Sequence, residues 1–396
     1  MAQKTASDNL PVGYLRAFLT LLVVAHHSAL CYMPEAPPIA VSMLSGPKWW
    51  GAFPVVDSNR WEGFSILVGF DDAFFMSAMF LLSGLFVWKS LQRKGPGQFL
   101  RDRFLRLGVP FVLAALFIAP LCYYPAYLQM RMTYGPGPEP LSYWQTWFSL
   151  GIWPAGPAWF LWVLLAYDCA AATLFALVPD AVTRLGAKIA SIDRPIVLFA
   201  GLATVSAVAY IPMVEHYGPI YTYVHGPFAA QASRVFHYFV YFLAGLLIGM
   251  SGIDASLFRA GGRLSRRWLP WTAAAAVIGA IMLEVYVAMM AHPFSHLYRL
   301  VWGFAFTLSC AASTFAAIAC FEHLVKHSRP VLDSLRDNAY GIYLVHIAFV
   351  TWLQYAMLTL PLPAVVKGLT VMILATLLSW GTTLALRRIP AVARII

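Results

Sequence analysis

The stretch WTAAAAVIGAIMLEVYVAMM, residues 271–290, holds one charged side chain, and apolar runs of similar length recur along the chain. In helical form, roughly 20 such residues cross a hydrocarbon core about 30 Å thick. Inside that core every backbone polar group must find its partner within the protein, which leaves helices and closed barrels. Barrel strands alternate apolar and polar residues over roughly ten positions; these runs do not. The sequence therefore predicts an all-α polytopic membrane protein with about ten transmembrane helices. Their expected positions are residues 11–33, 70–90, 107–128, 157–178, 195–213, 233–251, 270–291, 297–320, 338–358 and 364–386, in a single integral membrane domain over residues 1–396. Only 11% of the residues are charged. A soluble domain has about 25% and needs them to cover its surface.

The net charge of +10 invites nucleic acid or anionic lipid as a partner, so the position of each charge matters. Cytoplasmic loops of membrane proteins are enriched in Lys and Arg. With both termini cytoplasmic, 20 of the 27 Lys and Arg residues fall inside, from Lys4 to Arg394. Six fall outside or at outer span edges: Lys48, Arg60, Arg131, Arg234, Arg299 and Lys367. The remaining one, Arg16, lies within the first span. Topology thus accounts for the charge, with membrane lipids as partners and no nucleic acid.

The outer segments 34–69 and 129–156 are rich in Pro, Gly, Trp and Tyr. Aromatic residues collect at membrane interfaces, and they would also suit a mouth for a sugar or lipid headgroup. The first span has no A-x-A cleavage site and is expected to be a retained helix rather than a signal peptide. The five cysteines show no CxxC or Cys/His spacing, so no metal site is expected. Cys31 and Cys122 both fall near outer span ends; the sequence leaves a disulfide between them open.

One stretch departs from the apolar rule. YLRAFLTLLVVAHHS, residues 14–28, carries Arg16, His26 and His27 inside its span. Ionisable residues in a membrane helix are costly and point to function. Arg16 and His27 are 11 positions apart, which is about 1100°, or roughly 20° after whole turns, so they share a face about 16 Å apart along the axis. His26 is rotated about 100° from His27. Arg16 could instead reach lipid headgroups while the histidines bond to neighbouring helices. The functional reading is a polar cavity with a cationic entrance and a deep base. A neutral His is the usual general base near neutral pH. Such a cavity suits a long substrate with an anionic head and a reactive tip, as in acyl-coenzyme A.

Further candidates lie along the chain. In FLRDRFLRLGVPF, Arg103 and Arg106 are three apart and would be neighbours on one helix face, where guanidinium groups suit phosphate. His346, in NAYGIYLVHIAFV, is expected roughly 12 Å inside its span, near the depth of His27. Asp168, Glu284 and His237 are also ionisable residues within spans, and either acid could orient a histidine.

Taken together, these segments resemble the acyltransferase-3 family of bacterial integral membrane acyltransferases. YLRAFLTLLVVAHHS matches its Arg-x10-His signature at Arg16 and His27. FFMSAMFLLSGLFVW is similar to its second-helix pattern at Ser83-Gly84, and RDRFLRL to its Arg-x-x-Arg element at Arg103 and Arg106. PAWFLWVLLAYD, ending at Asp168, resembles its Trp-Phe-Leu segment. NAYGIYLVH, with Tyr343 and His346, resembles its late Tyr-x-x-Tyr-Leu-x-His segment. The resemblance implies a multi-pass protein of the bacterial inner membrane that moves an acyl group from cytoplasmic acyl-CoA to a hydroxyl of a glycan, lipid or small metabolite. It implies His27 as catalytic base, Arg16 as support for the donor, and Arg103 and Arg106 as phosphate holders. Acyl-CoA is then a co-substrate, and no bound cofactor is expected. The doubled histidine departs from the pattern, so His26 shares the catalytic task or merely packs. A weaker likeness is to the branch that succinylates periplasmic glucans. The rival reading is a proton-coupled transporter relaying protons through the same Arg and His residues.

Overall fold

The computed structural model describes residues 9–38, 52–134, 142–252, 258–259 and 261–396. The Trp49-Trp50 pair and the GPGPEP stretch of the outer segments lie outside the described residues. The described residues are mostly helical and include one antiparallel hairpin, β1 (Thr222–His225) and β2 (Phe228–Gln231).

Helix α1 (Leu10–Leu30) begins where the Asn9 side chain accepts the Val12 N–H at 3.1 Å, with Pro11 in its first turn. Both are usual helix starts. Next come α2 (Glu62–Asp72) and α3 (Phe75–Gly84), which form one bent span. The second span is therefore Glu62–Gly84, not 70–90. Asp71 and Asp72 lie within this span, and both are paired inside the protein. The following helix α4 (Val87–Arg103) is polar and kinks at Gly95, whose φ of 72° precedes Pro96.

Two widened π turns follow, Phe104–Gly108 and Ala114–Ile118, before α5 (Ala119–Tyr134). Pro110 explains the first. It has no N–H to give the carbonyl four residues earlier, and its ring crowds that carbonyl. The carbonyl belongs to Arg106, and the Tyr340 hydroxyl donates to it instead. The remaining long helices are α6 (Trp159–Leu177), α7 (Pro195–Tyr217), α8 (Val235–Met250), α9 (Trp268–Ala291), α10 (His296–Leu324), α11 (Pro330–Met357) and α12 (Ala364–Leu386).

Among the described residues, nine helices are long and apolar enough to cross a membrane. The tenth expected span, 338–358, is present within α11, whose 28 residues give about 42 Å of helix. Its hydropathy is lowered by buried polar residues such as Asn338, His346 and Gln354. Large apolar side chains including Phe117, Val208, Val277 and Val287 are exposed along the spans. A soluble protein rarely tolerates such a belt; lipid accepts it.

Without water there is little hydrophobic drive between membrane helices, and small residues permit close packing instead. The α3–α8 crossing follows this rule. A Cβ on Gly245 or Gly249 would lie 1.9 Å from the Leu81 or Leu85 carbonyl oxygen, and one on Gly84 2.2 Å from that of Phe242. At this crossing Phe80 packs against Phe160, Tyr167 and Tyr238. The buried Lys367 ammonium meets Asp57 at 2.7 Å and fastens the segment after α1 to α12. Cys31 and Cys122 are both buried and free, so they form no disulfide.

The described part of the aromatic outer segments includes a short helix, Tyr143–Ser149, closed by a Ser142/Gln145 capping box. Its Tyr143 and Trp147 pack on Tyr124, Tyr127 and Tyr123 of α5. This cluster sits on residues 123–127 of α5.

Candidate active site

Helices α1 and α11 are pinned at two heights. At the arginine-rich end, the Tyr14 hydroxyl donates to Asp333 Oδ1 at 2.9 Å and accepts the Arg329 N–H at 2.8 Å. At the other end, Gln354 Nε2 donates to the His27 carbonyl at 2.9 Å. That carbonyl is in the last turn of α1, where intrahelical donors run out. The pins hold the two helices parallel, so His27 and His346 reach the same height. Their ring centroids are 5.1 Å apart.

The backbone sets the protonation pattern of both rings. His27 Nδ1 is 2.8 Å from the Val23 carbonyl oxygen, and His346 Nδ1 is 2.6 Å from that of Tyr343. A carbonyl only accepts, so Nδ1 carries the hydrogen in each ring and Nε2 keeps its lone pair. His346 Nε2 is buried with no hydrogen-bond partner among the described residues. His27 is partly accessible. Its Nε2 is positioned to take a proton or to attack a carbonyl carbon.

His26 has a different environment. Its Nδ1 lies 2.7 Å from Asp71 Oδ1, its ring stacks on Phe75 at 5.2 Å, and it contacts the His27 ring at 5.3 Å. The bend between α2 and α3 delivers Asp71 to this place. Sequence reasoning missed Asp71. The rule applied to Arg16 would have found it, since VGFDDAFFM puts two acids into an apolar stretch.

Arg16 is accessible on the same unbroken helix as His27. Its charged neighbours are Arg106, Arg336 and Asp337. Arg336 was not expected. Its side chain crosses α1 over Gly13, where a Cβ would lie 2.6 Å from Arg336 Cδ. Three arginines from three chain segments thus gather at one end of α1, with Arg336 paired there to Asp337 at 2.9 Å and Asp333 at 3.2 Å.

Arg103, expected beside Arg106, has a carboxylate partner of its own. Arg103 turns to Asp168, with Nε 3.4 Å from Oδ2, and lies 5.1 Å over the Phe99 ring. Arg106 sits in the widened turn that follows, which removes the simple i, i+3 relationship. Asp168 therefore faces an arginine rather than orienting a histidine. Glu284 is exposed on α9 and makes no hydrogen bond or ion pair among the described residues. His237 is buried and bonded through both nitrogens, to Ser206 at 2.6 Å and Ser77 at 3.1 Å. Ser83 bonds back to the Met79 carbonyl at 2.8 Å, and Gly84 makes the close crossing with α8. Tyr343 donates its hydroxyl to the Pro157 carbonyl and fixes α11 beside the start of α6.

Along the one continuous helix α1 lie a tautomer-fixed imidazole, a His–Asp pair completed by Asp71 of α2, and an arginine cluster completed by Arg106 and Arg336 of other segments. No curated protein and no solved structure matches the chain. A family model described as an acyltransferase domain, that of acyltransferase-3, matches residues 12–384. This match takes in Arg16, all three clustered histidines and Asp71, and by it the chain belongs to the acyltransferase-3 family of membrane acyltransferases.

Proposed function

We propose that the protein is an acyl-CoA-dependent O-acyltransferase of the bacterial inner membrane, with its arginine-rich end in the cytoplasm. The observation that carries this reading is the placement of Arg16 and His27 on one continuous helix, with an arginine cluster at one and an unengaged Nε2 at the other. Their separation of about 16 Å suits the span between the phosphates of coenzyme A and its thioester. Arg16, Arg106 and Arg336 hold the phosphates. The acceptor is a hydroxyl of a glycan, lipid or small metabolite arriving from the other end.

In the proposed reaction, His27 Nε2 removes the hydroxyl proton as its oxygen attacks the thioester carbon. A C–O bond forms, the C–S bond breaks, and coenzyme A departs as its thiol. General base catalysis of this kind contributes about 10²- to 10⁴-fold. The test compares membranes holding wild type or His27→Ala at matched levels. Acetyl-, succinyl- and longer acyl-CoAs labelled in the acyl group are supplied, and label is followed into glycan and lipid fractions. Transfer by wild type, reduced at least about 10²-fold in the variant, supports the reading. Full transfer by a folded His27→Ala protein overturns His27 as base. No transfer by wild type, with no thermal shift from any CoA ester, favours a proton-coupled transporter instead.

A further inference from the structure

The two adjacent acids at the α2–α3 bend have separate partners. Asp72 takes Arg234, which is 2.5 Å from Oδ2 and also donates to the Asp72 carbonyl at 3.0 Å. Asp71 is left to His26. It is 1% exposed, and its Oδ2 has no hydrogen-bond partner among the described residues. Among the described residues the side chain paired with this carboxylate is the His26 imidazole. This separates the three clustered histidines. The Nδ1–H groups of His27 and His346 face neutral carbonyls, whereas that of His26 faces a carboxylate, which stabilises an imidazolium. His26 is 12% exposed, so its ring reaches accessible space. Stacking on Phe75 fixes its orientation.

We infer that His26 and Asp71 form an acid dyad that protonates the departing thiolate while His27 serves as the base. This division of labour rests on the acyl transfer proposed above. A thiolate released in a low-dielectric interior is an unpaired buried charge and is costly; a proton from His26 Nε2 removes that charge as the C–S bond breaks. The balance is complete. His27 gains the acceptor hydroxyl proton, and His26 gives one to sulfur. The His27 imidazolium then returns its proton to His26, whose ring centroid lies 5.3 Å from its own. Ester and thiol leave, and both histidines are restored. Asp71 touches no reacting atom and is a positioning residue.

The experiment uses the purified full-length protein and two acetyl donors. One is acetyl-CoA. The other is a coenzyme A analogue ending in an aryl thiol, whose thiolate leaves without protonation. Release of thiol and labelled acetyl transfer are followed in membrane extract supplying the acceptor. Asp71→Asn is expected to lower kcat with acetyl-CoA by about 10²-fold, leaving KM within about twofold, and to lose less than about tenfold with the aryl thioester. His26→Gln should follow the same pattern, and Asp71→Glu, which keeps the carboxylate, should recover part of the rate. Equal losses with both donors, or no loss with either, overturn the dyad. His27→Ala should fail with both donors, because deprotonation of the hydroxyl is needed in each case. Its retention of activity would overturn the base assignment without touching the donor dependence of Asp71→Asn, so the two failures are distinguishable. Should Asp71→Asn not fold, the donor comparison on His26→Gln and Asp71→Glu decides.

Discussion

His27 and His346 meet edge to face, with ring centroids 5.1 Å apart, because α1 and α11 run in register. Tyr14 and Asp333 are joined across 319 residues of sequence, and the same separation divides His27 from His346. Each helix therefore climbs 13 residues, about 20 Å, from the Tyr14–Asp333 contact to its histidine. Register, rather than either histidine alone, makes the pair.

If register matters, the pin nearest the histidines should matter most. Gln354→Leu keeps the side-chain bulk but leaves the His27 carbonyl without its donor from α11. The expected outcome is a loss of about 1–3 kcal/mol in stability. Acyl transfer should fall by about ten- to a hundredfold, since displacements near 1 Å cost up to about 10² in rate. Thermal unfolding in detergent and labelled acyl transfer measure the two effects. Unchanged transfer by a destabilised variant would show that the α1–α11 register does not set the rate.

The arginines should separate by role. Arg106→Ala and Arg336→Ala are expected to raise KM for acyl-CoA about tenfold with kcat nearly unchanged, as expected for loss of uniform binding. Arg103→Ala is expected to leave KM unchanged and to lower stability by about 1–3 kcal/mol, because it leaves the buried Asp168 without its cation. Steady-state kinetics with acetyl- and succinyl-CoA, beside thermal unfolding, distinguish these outcomes. A large KM effect from Arg103→Ala would instead restore the original Arg103/Arg106 pair as phosphate holders.

The α3–α8 crossing gives a prediction about folding. Gly245→Ala and Gly249→Ala place a Cβ within 1.9 Å of a backbone oxygen, and overpacking of this kind costs about 1–3 kcal/mol or more. Gly201→Ala meets nothing within 4 Å and sits in the interior of α7, so it should be neutral or gain up to about 1 kcal/mol from helix propensity. Yields of monodisperse protein and thermal midpoints compare the three. Equal behaviour would mean that the helices are not packed this closely.

The sequence carried most of the fold because lipid imposes length and hydropathy on every span, and both can be read directly. It began the second span at residue 70 rather than Glu62, and it could not show that His26 and Arg234 cover Asp71 and Asp72 inside that span. The Arg16–His27 stripe was legible for a local reason, namely that 11 residues is close to three whole turns. The likeness to the acyltransferase-3 family was legible in short segments from residue 14 to 346, and the family match spans residues 12–384.

Distances between helices depend on tertiary packing, and the parts of the site built between helices followed from that packing. The sequence by itself determined that the chain is a helical membrane protein with a cation and a base on one face of its first span. Only the tertiary structure decided that His346 joins His27, that Arg336 replaces Arg103 beside Arg16, and that Asp71 turns the doubled histidine into two unlike groups. Periodicity fixes where a side chain lies on its own helix. Which residue faces it is set by how neighbouring helices slide and cross, through contacts such as Tyr14–Asp333, Gln354–His27 and the glycines of α8.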